Sequence, residues 1–510
     1  MKPTTLATLF DTISLHLPSD AIKMVADLPF GQFCLDSRRL NEGDVFVLLS
    51  SVGGDQQSLL RANEYLKSVD GKAAFILSQI NPQELDISTL STPIVDLPTI
   101  RHYLGDLIAA RFQVDRPAKL PTVVAVTGTN GKTTVSQLVA QLCELSGVPS
   151  AIMGTAGNGR LGQLVQSANT TGDVLSVHEF LYQMAKDGVQ VVALEASSHG
   201  LHQHRLQGVP VQVAIYTNLS HDHLDYHADM DDYRAAKARL FDEHYFSTLT
   251  HGIINQDATY PLLQNNDGAL PYSLLGHSCQ DEKADYFVKK ITPSLNGVQI
   301  ELVAQGKLMT LHSPLLGLFN VDNLMAAVAA FLALYPNQQD NLPALVAKLH
   351  GARGRMQQVP SKTGLFIVDY AHTPDAIEQV LISLQKHCTG RLIAVFGCGG
   401  DRDKSKRPIM ANVGVRHADM VILTADNPRS ENPNAILRDM QTQLDCQAHY
   451  KVIIEPDRKR AIKEAVMMAG GDDIVVILGK GHETYQEING VRYDFDDVAV
   501  VGEFINAFNK

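Results

Sequence analysis

Along most of this chain, short β-branched runs alternate with polar loops and then with stretches of helical periodicity. In the middle, PTVVAV (121–126) runs into TGTNGKTT, VQVVAL (189–194) into EASSHG, VQVAIYT (211–217) into NLSHDHLD and HGIIN (251–255) into QDA. The last third repeats the pattern: GLFIV (364–368) leads to DYAHTPD, RLIAVF (391–396) to GCGGDRDKSKR, ADMVILT (418–424) to ADNPRS, HYKVII (449–454) to EPDRKR and DIVVIL (473–478) to GKGHE. Strands alternating with helices predict βαβ units and parallel sheets covered on both faces. Such sheets bind ligands beyond the carboxyl ends of their strands, and nearly all of these polar loops leave a strand at that end. Two α/β units, each with one functional rim, predict a cleft between them. The seam is expected at 349–355, where HGARGR separates a helical stretch from GLFIV, and an upstream seam at 100–120. The first hundred residues read as a smaller mixed α/β unit whose clearest signal is the turn and strand of DSRRLNEGDVFVLL.

Length agrees with this division, since 510 residues at about 150 per domain give about three domains. With 45% hydrophobic and 19% charged residues, wholesale disorder is excluded. A net charge of −12 provides no global attraction for nucleic acid or an anionic membrane. The longest apolar run, Met325 to Tyr335, is well short of the ~20 residues of a membrane span, and the N-terminal stretch lacks the marks of a signal peptide. Six scattered cysteines without a CxxC pair suit a reducing, cytoplasmic compartment and argue against a disulfide framework or a zinc site.

Candidate chemistry sits in the polar loops. TGTNGKTT (127–134) lies between a strand and a helical stretch, where Gly128, Thr129, Asn130 and Gly131 can aim backbone N–H groups at phosphate oxygens. Lys132 would reach the β/γ-phosphates, Thr133 would take a place on Mg²⁺ and Thr134 opens the helix. The general pattern has glycine where this chain has Val126. Glu195, ending a strand, is a natural oxygen ligand for Mg²⁺, whereas His223 in SHDHLDYH is a less usual one. Lys237, in DDYRAAKARLF, reads by itself as an exposed helical lysine. Arg355 at the seam could touch a triphosphate bound next door, and Asp369 could hold a ribose hydroxyl, with His372 nearby. Arg402 stands in a basic loop beside a GCGG run that suggests close backbone approach to a ligand. In Asp426-Asn427-Pro428-Arg429 the proline stiffens the loop, and the planar arginine fork suits bidentate binding of a carboxylate.

Taken in order, DSR (36–38), TGTNGKTT, ANTTGD, EASSHGLHQHR, TNLSHDHLDYH, YRAAKARLF, LLGLFNVDN, GARGRMQQV, DYAHTPD, GCGGDRDKSKRP, DNPRSENP and GKGHE resemble the Mur ligase family, ATP-dependent amide-forming enzymes of bacterial cell-wall synthesis. The resemblance implies an α/β protein of three domains: an N-terminal mixed α/β UDP-muramoyl-binding domain (1–100), a central P-loop ATPase-like parallel-sheet domain (101–350) and a C-terminal Rossmann-like amino-acid-binding domain (351–510). It implies ATP bound by 128–134, Asn320, Asn323, Arg355, Asp369 and His372, and Mg²⁺ held by Thr133, Glu195, His223 and Lys237, the last as a CO₂-derived carbamate. Lys132, Glu195, His223, Lys237 and Arg355 would carry catalysis. Ser37, Asn169, Thr170, Thr171, Ser197, Gln203 and Arg205 match contacts to a UDP-muramoyl dipeptide, and Arg402, Asp426, Asn427, Pro428, Arg429, Gly479 and Glu483 match the pocket of the incoming amine. DNPR is similar to the members that add meso-2,6-diaminopimelate rather than lysine to UDP-N-acetylmuramoyl-L-alanyl-D-glutamate, through an acyl phosphate. The expected partners are these small molecules, and the expected state is a monomer. After DSR the family commonly has a D-G-H-type run, where this chain has SSVGGDQQS. Two rival readings are a relative adding lysine or glutamate and a non-catalytic, ATP-gated binding module.

Overall fold

The β-branched runs form parallel strands in three separate sheets. The computed structural model describes residues 4–17, 20–50, 56–115, 117–167, 169–224, 226–259, 261–262, 272–294, 297–445 and 448–510; Asp225, Cys446 and residues 51–55 of the SSVGGDQQS stretch lie outside them. The first sheet joins Phe33–Cys34, Val45–Leu48, Phe75–Ser78 and Ile94–Asp96, all parallel. Its core of Leu6, Phe10, Phe33 and Phe75 also takes in Leu104, Leu107, Ile108 and Phe112 from the helix Leu104–Asp115.

The largest sheet has ten strands. At its centre Thr122–Thr127 lies between Val191–Glu195 and Val211–Tyr216, so two chain directions part at its carboxyl end. The helix that follows, Lys132–Leu145, packs on one face beside Phe319–Leu334. The apolar run near Met325 therefore belongs to a helix buried nearly all round, with Leu324 through Ala330 fully covered. On the other face Val177 and Leu181 of Val174–Lys186 complete a second core.

The sequence pattern did not announce the far edge of this sheet. Tyr286–Ser294, Gly297–Ala304 and Lys307–Ser313 form an antiparallel extension. Val298, Ile300, Leu302 and Ala304 are buried while Gln299 stays exposed. One-sided burial alternates apolar with polar positions, which does not read as a β-branched run.

In the last third, Leu365–Asp369, Ile474–Leu478, Leu392–Phe396, Met420–Leu423 and Val452–Ile454 are parallel neighbours in that order, and Gln357–Val359 adds an antiparallel edge. A hairpin, Tyr485–Ile488 with Val491–Asp494, stands apart from the sheet. Five described cysteines are free, and among the described residues no helix is long and apolar enough to cross a membrane.

Candidate active site

The loop between Thr122–Thr127 and Lys132–Leu145 is shaped by its glycines. Gly131 has φ +89°, and a Cβ there would fall 2.3 Å from Asn323 Oδ1. Position 126 needs no glycine because Val126 is still strand, fully buried and paired with Glu195 and Ile215. Asn218 braces the loop from the neighbouring strand end: its carbonyl accepts from Thr129 N at 2.8 Å and its Oδ1 from Asn130 N at 3.0 Å. Lys132 Nζ lies over the loop and donates to Gly128 O and Thr129 O, both at 2.9 Å.

Lys237 contradicts the exposed reading of its helix. It is 1% exposed, and its Nζ donates to the same Gly128 O at 2.8 Å, 4.4 Å from the centre of the Tyr233 ring. Burial, then the neighbouring Lys132 ammonium, hold its pKa well below the ordinary lysine value, against the pull of Asp222. Two amines converge on one carbonyl; burial lowers the pKa of both, and that of Lys237 further.

Glu195 closes the next strand and is 2% exposed. Its Oε1 accepts from Thr133 Oγ1 and Thr155 N, each at 2.9 Å, and its Oε2 from Thr155 Oγ1 at 3.1 Å. A hydroxyl and a carboxylate held together at the phosphate loop form a hard-oxygen donor set that fits Mg²⁺. His223, at φ +56°, lies on the wall of the same cleft, its ring 5.0 Å from that of His199.

This cleft, of about 500 Å³, runs from the phosphate loop to the C-terminal unit. Arg355 crosses the seam and sets its guanidinium 4.4 Å from the centre of the Tyr370 ring. Asp369 accepts from Met356 N and Ala371 N, both at 2.7 Å, so it braces the linker as well as lining the cleft. Burial raises its pKa and lowers that of His372. Asn320 Oδ1 accepts from Asn323 Nδ2 at 2.9 Å, which turns Asn323 Oδ1 to the back of Gly131.

A second cavity, of about 470 Å³, opens beside the N-terminal sheet and includes Asp36, Asn169, Gln203 and Arg205. Ser37 belongs to the neighbouring 3₁₀ turn capped by Asp36 and is not on the cavity wall. Arg205 donates to Gln203 Oε1 at 2.7 Å and to Thr171 O at 2.9 Å, and the Thr171 and Ser197 hydroxyls lie 2.9 Å apart. Asn169 lines this cavity while the next residue, Thr170, lines the cleft at the phosphate loop.

The remaining residues meet at the rim of the third sheet. Arg429 has φ +51°, rare for a residue with a side chain. Its backbone is clamped by the hairpin, through Arg429 N to Glu487 O at 3.0 Å and Asn489 N to Arg429 O at 2.6 Å, while its Nη1 donates to Gly400 O at 2.7 Å. Asn427 Nδ2 donates to Glu483 Oε2 at 2.9 Å, and Gly479 follows the strand end with φ +113°. Arg402 is exposed beside them. In the GCGG run a Cβ on Gly400 would fall 2.0 Å from Pro428 O, so this glycine admits the DNPR loop.

Residues 126–331 match the Mur ligase middle domain, and residues 354–481 match the Mur ligase, glutamate ligase domain. A UDP-N-acetylmuramoyl-L-alanyl-D-glutamate–2,6-diaminopimelate ligase from Coxiella burnetii is 38% identical over 93% of this chain and 95% of its own length. The protein of that name from Xanthomonas oryzae pv. oryzae is 40% identical over 94% of both. The chain belongs to the Mur ligase family. A solved structure under the same protein name is 39% identical, covers all of both chains and superimposes with a TM-score of 0.72.

Several groups that build this Mur ligase site were invisible as single residues. Thr155 and Asn218 act on Glu195 and on the phosphate loop across strand ends. Tyr370 stacks beneath Arg355 and lies 5.0 Å from the His482 ring, which links the phosphate-loop cleft to the GKGHE loop. Asn218 and His482 stand inside strings that identify the family, TNLSHDHLDYH and GKGHE, and that was their only signal.

Proposed function

We propose that this chain adds meso-2,6-diaminopimelate to UDP-N-acetylmuramoyl-L-alanyl-D-glutamate, forming the tripeptide nucleotide with ADP and phosphate. The reading is carried by the near-full-length likeness to ligases named for that reaction, and the geometry supplies parts suited to it. The nucleotide-peptide would lie with its UDP-muramoyl portion in the cavity at Asn169, Gln203 and Arg205. The step from Asn169 to Thr170 would carry its D-glutamate end into the nucleotide cleft. A carboxylate is a poor electrophile, so its γ-carboxylate attacks the γ-phosphorus of ATP, and ADP leaves. The neutral amine of diaminopimelate then adds to the acyl carbon and gives up a proton, and the tetrahedral adduct collapses as the acyl C–O bond breaks and phosphate leaves.

Lys132 and the phosphate-loop amides hold the β/γ-phosphates, and Arg355 meets the same charge from across the seam. Thr133 and Glu195, with His223, would hold Mg²⁺, which when bound neutralises charge gathering on the phosphate oxygens. Lys237, buried and driven toward its neutral amine, is suited to take up CO₂ as a carbamate with release of a proton. That would place a counter-charge beside the Lys132 ammonium. Arg429 would pair with the carboxylate at the far end of diaminopimelate, which lysine lacks, and Glu483 would receive an ammonium. Approach of the C-terminal unit would bring that amine to the acyl phosphate and exclude water.

The test is incubation of pure protein with ATP, Mg²⁺ and the dipeptide nucleotide, offering meso-diaminopimelate or L-lysine in parallel and following the product mass. A gain with diaminopimelate alone is the expected result. A gain with lysine alone would keep the ligase and discard the role of Arg429. ATP turnover indifferent to both amines would leave a binding module.

A further inference from the structure

Lys480 is fully buried, yet none of the chemistry assigned so far uses it. Its Nζ donates to Asn427 Oδ1 at 2.9 Å and to Glu483 Oε2 at 3.1 Å, and lies 3.7 Å from Asp426 Oδ1. An ammonium out of water is costly unless paired and hydrogen-bonded, so a lysine here implies a task that an apolar side chain could not perform. The bonding pattern identifies it. Asn427 Oδ1 accepts from both Lys480 Nζ and Glu487 N, the latter at 2.9 Å. Only the NH₂ end of that amide is then left to meet Glu483, and Asn427 Nδ2 does so. Glu483 Oε2 is thereby held twice, while Oε1 accepts nothing from the described residues. Next to this network, the Arg458–Asp497 pair is wholly buried at 2.7 Å, and Arg458 donates to Leu478 O at 2.9 Å.

We propose that Lys480 is the positioning residue of the amine pocket: it fixes the Asn427 amide and the Glu483 carboxylate, leaving Glu483 Oε1 to receive the ammonium of the incoming amino acid. This rests on the ligase reading above. Lys480 touches no substrate, and its effect passes through Asn427 and Glu483.

The experiment is steady-state kinetics of the full chain with each substrate varied in turn, for wild type, Lys480→Met, Lys480→Arg, Asn427→Ala and the Lys480→Met/Asn427→Ala pair. Lys480→Met should raise KM for diaminopimelate about 100-fold while KM for ATP and for the dipeptide nucleotide stays within about twofold. Lys480→Arg, which keeps the charge, should recover part of the loss. The double variant should lose little more than either single one, because both break one network. Losses that multiply, or a fall in kcat with KM for diaminopimelate unchanged, would overturn the proposal. So would a parallel rise in all three KM values, which marks a general folding role. Should Lys480→Met fail to fold, Lys480→Gln carries the same comparison, keeping a donor without the charge. A wild-type chain that ligates no diaminopimelate would instead sink the functional reading itself, an outcome visible before any variant is made.

Discussion

The phosphate loop and the proposed amine pocket are both strand-end sites, but they are built in opposite ways. The phosphate loop is one continuous segment, 127–134, whose shape follows from two glycines and the helix it opens. The amine pocket is assembled from three loops: GCGG at 397–400, DNPR at 426–429 and GKGHE at 479–483. A hairpin clamps Arg429 in a left-handed conformation, and a buried lysine stands between Asn427 and Glu483. A local site is fixed by the backbone, so its variants should lose chemistry. An assembled site is fixed by side-chain networks, so its variants should lose selectivity first.

The largest effect that would separate the two is on discrimination. Arg429→Ala should erase most of the preference for diaminopimelate over L-lysine, on the order of a 10⁴-fold change in the ratio of kcat/KM values, with ATP binding unaltered. Competition between the two amines, resolved by product mass, measures it, and equal loss with both amines would deny Arg429 a selective role. In the local site Lys132→Met should cut kcat by about 10³-fold without changing the amine preference. If that preference shifted, the two sites would be coupled more tightly than their construction suggests. Lys237→Ala should lower ligation by about 100-fold and retain ATP. The carbamate proposed for Lys237 is checked independently by a ¹³C carbonyl signal from labelled bicarbonate, expected in wild type and absent in the variant.

The same contrast explains what could be read from the sequence. The parallel strands and the phosphate loop were legible because each is a local pattern: a β-branched run, then a glycine-bearing turn, then a helix. The antiparallel edge from Tyr286 to Ser313 was not, since its one-sided burial gives alternation rather than an apolar run. Lys237 reads as solvent-exposed on its own helix and is buried only because the phosphate loop packs over it. The GCGG run at 397–400 signals a close approach, but nothing in it says that the chain facing Gly400 is at Pro428. Residue types were visible in the sequence; the partners that the fold brings to them were not.

A smaller effect probes whether backbone alone shapes the local site. Gly131→Ala forces a side chain into φ +89° with 2.3 Å to Asn323 Oδ1, and it should cost about 1–2 kcal/mol from the left-handed backbone alone. Urea unfolding measures that cost, and nucleotide affinity should fall with it. Unchanged affinity would mean that the loop relaxes and that Asn218, not Gly131, sets its shape.

The smallest effect belongs to the seam through which the assembled pocket meets the nucleotide cleft. Burial, then Arg355 and Arg353, push the His482 imidazole down to about 4, against an ordinary value near 6.5. Closed, the ring stays neutral over that range; when the loop opens, it takes up a proton. Opening is therefore unaffected by this residue above about pH 6.5 and becomes easier as pH falls toward 4, by at most ~1.4 kcal/mol per pH unit. Amide exchange at Gly481, His482 and Glu483, corrected for intrinsic rate, should show the opening free energy falling between pH 6.5 and 5 in wild type and flat in His482→Gln. The amides of the phosphate loop should not follow the same slope. If they did, the Arg355–Tyr370–His482 stack would transmit the opening of one site to the other, and the two could no longer be treated as separate constructions.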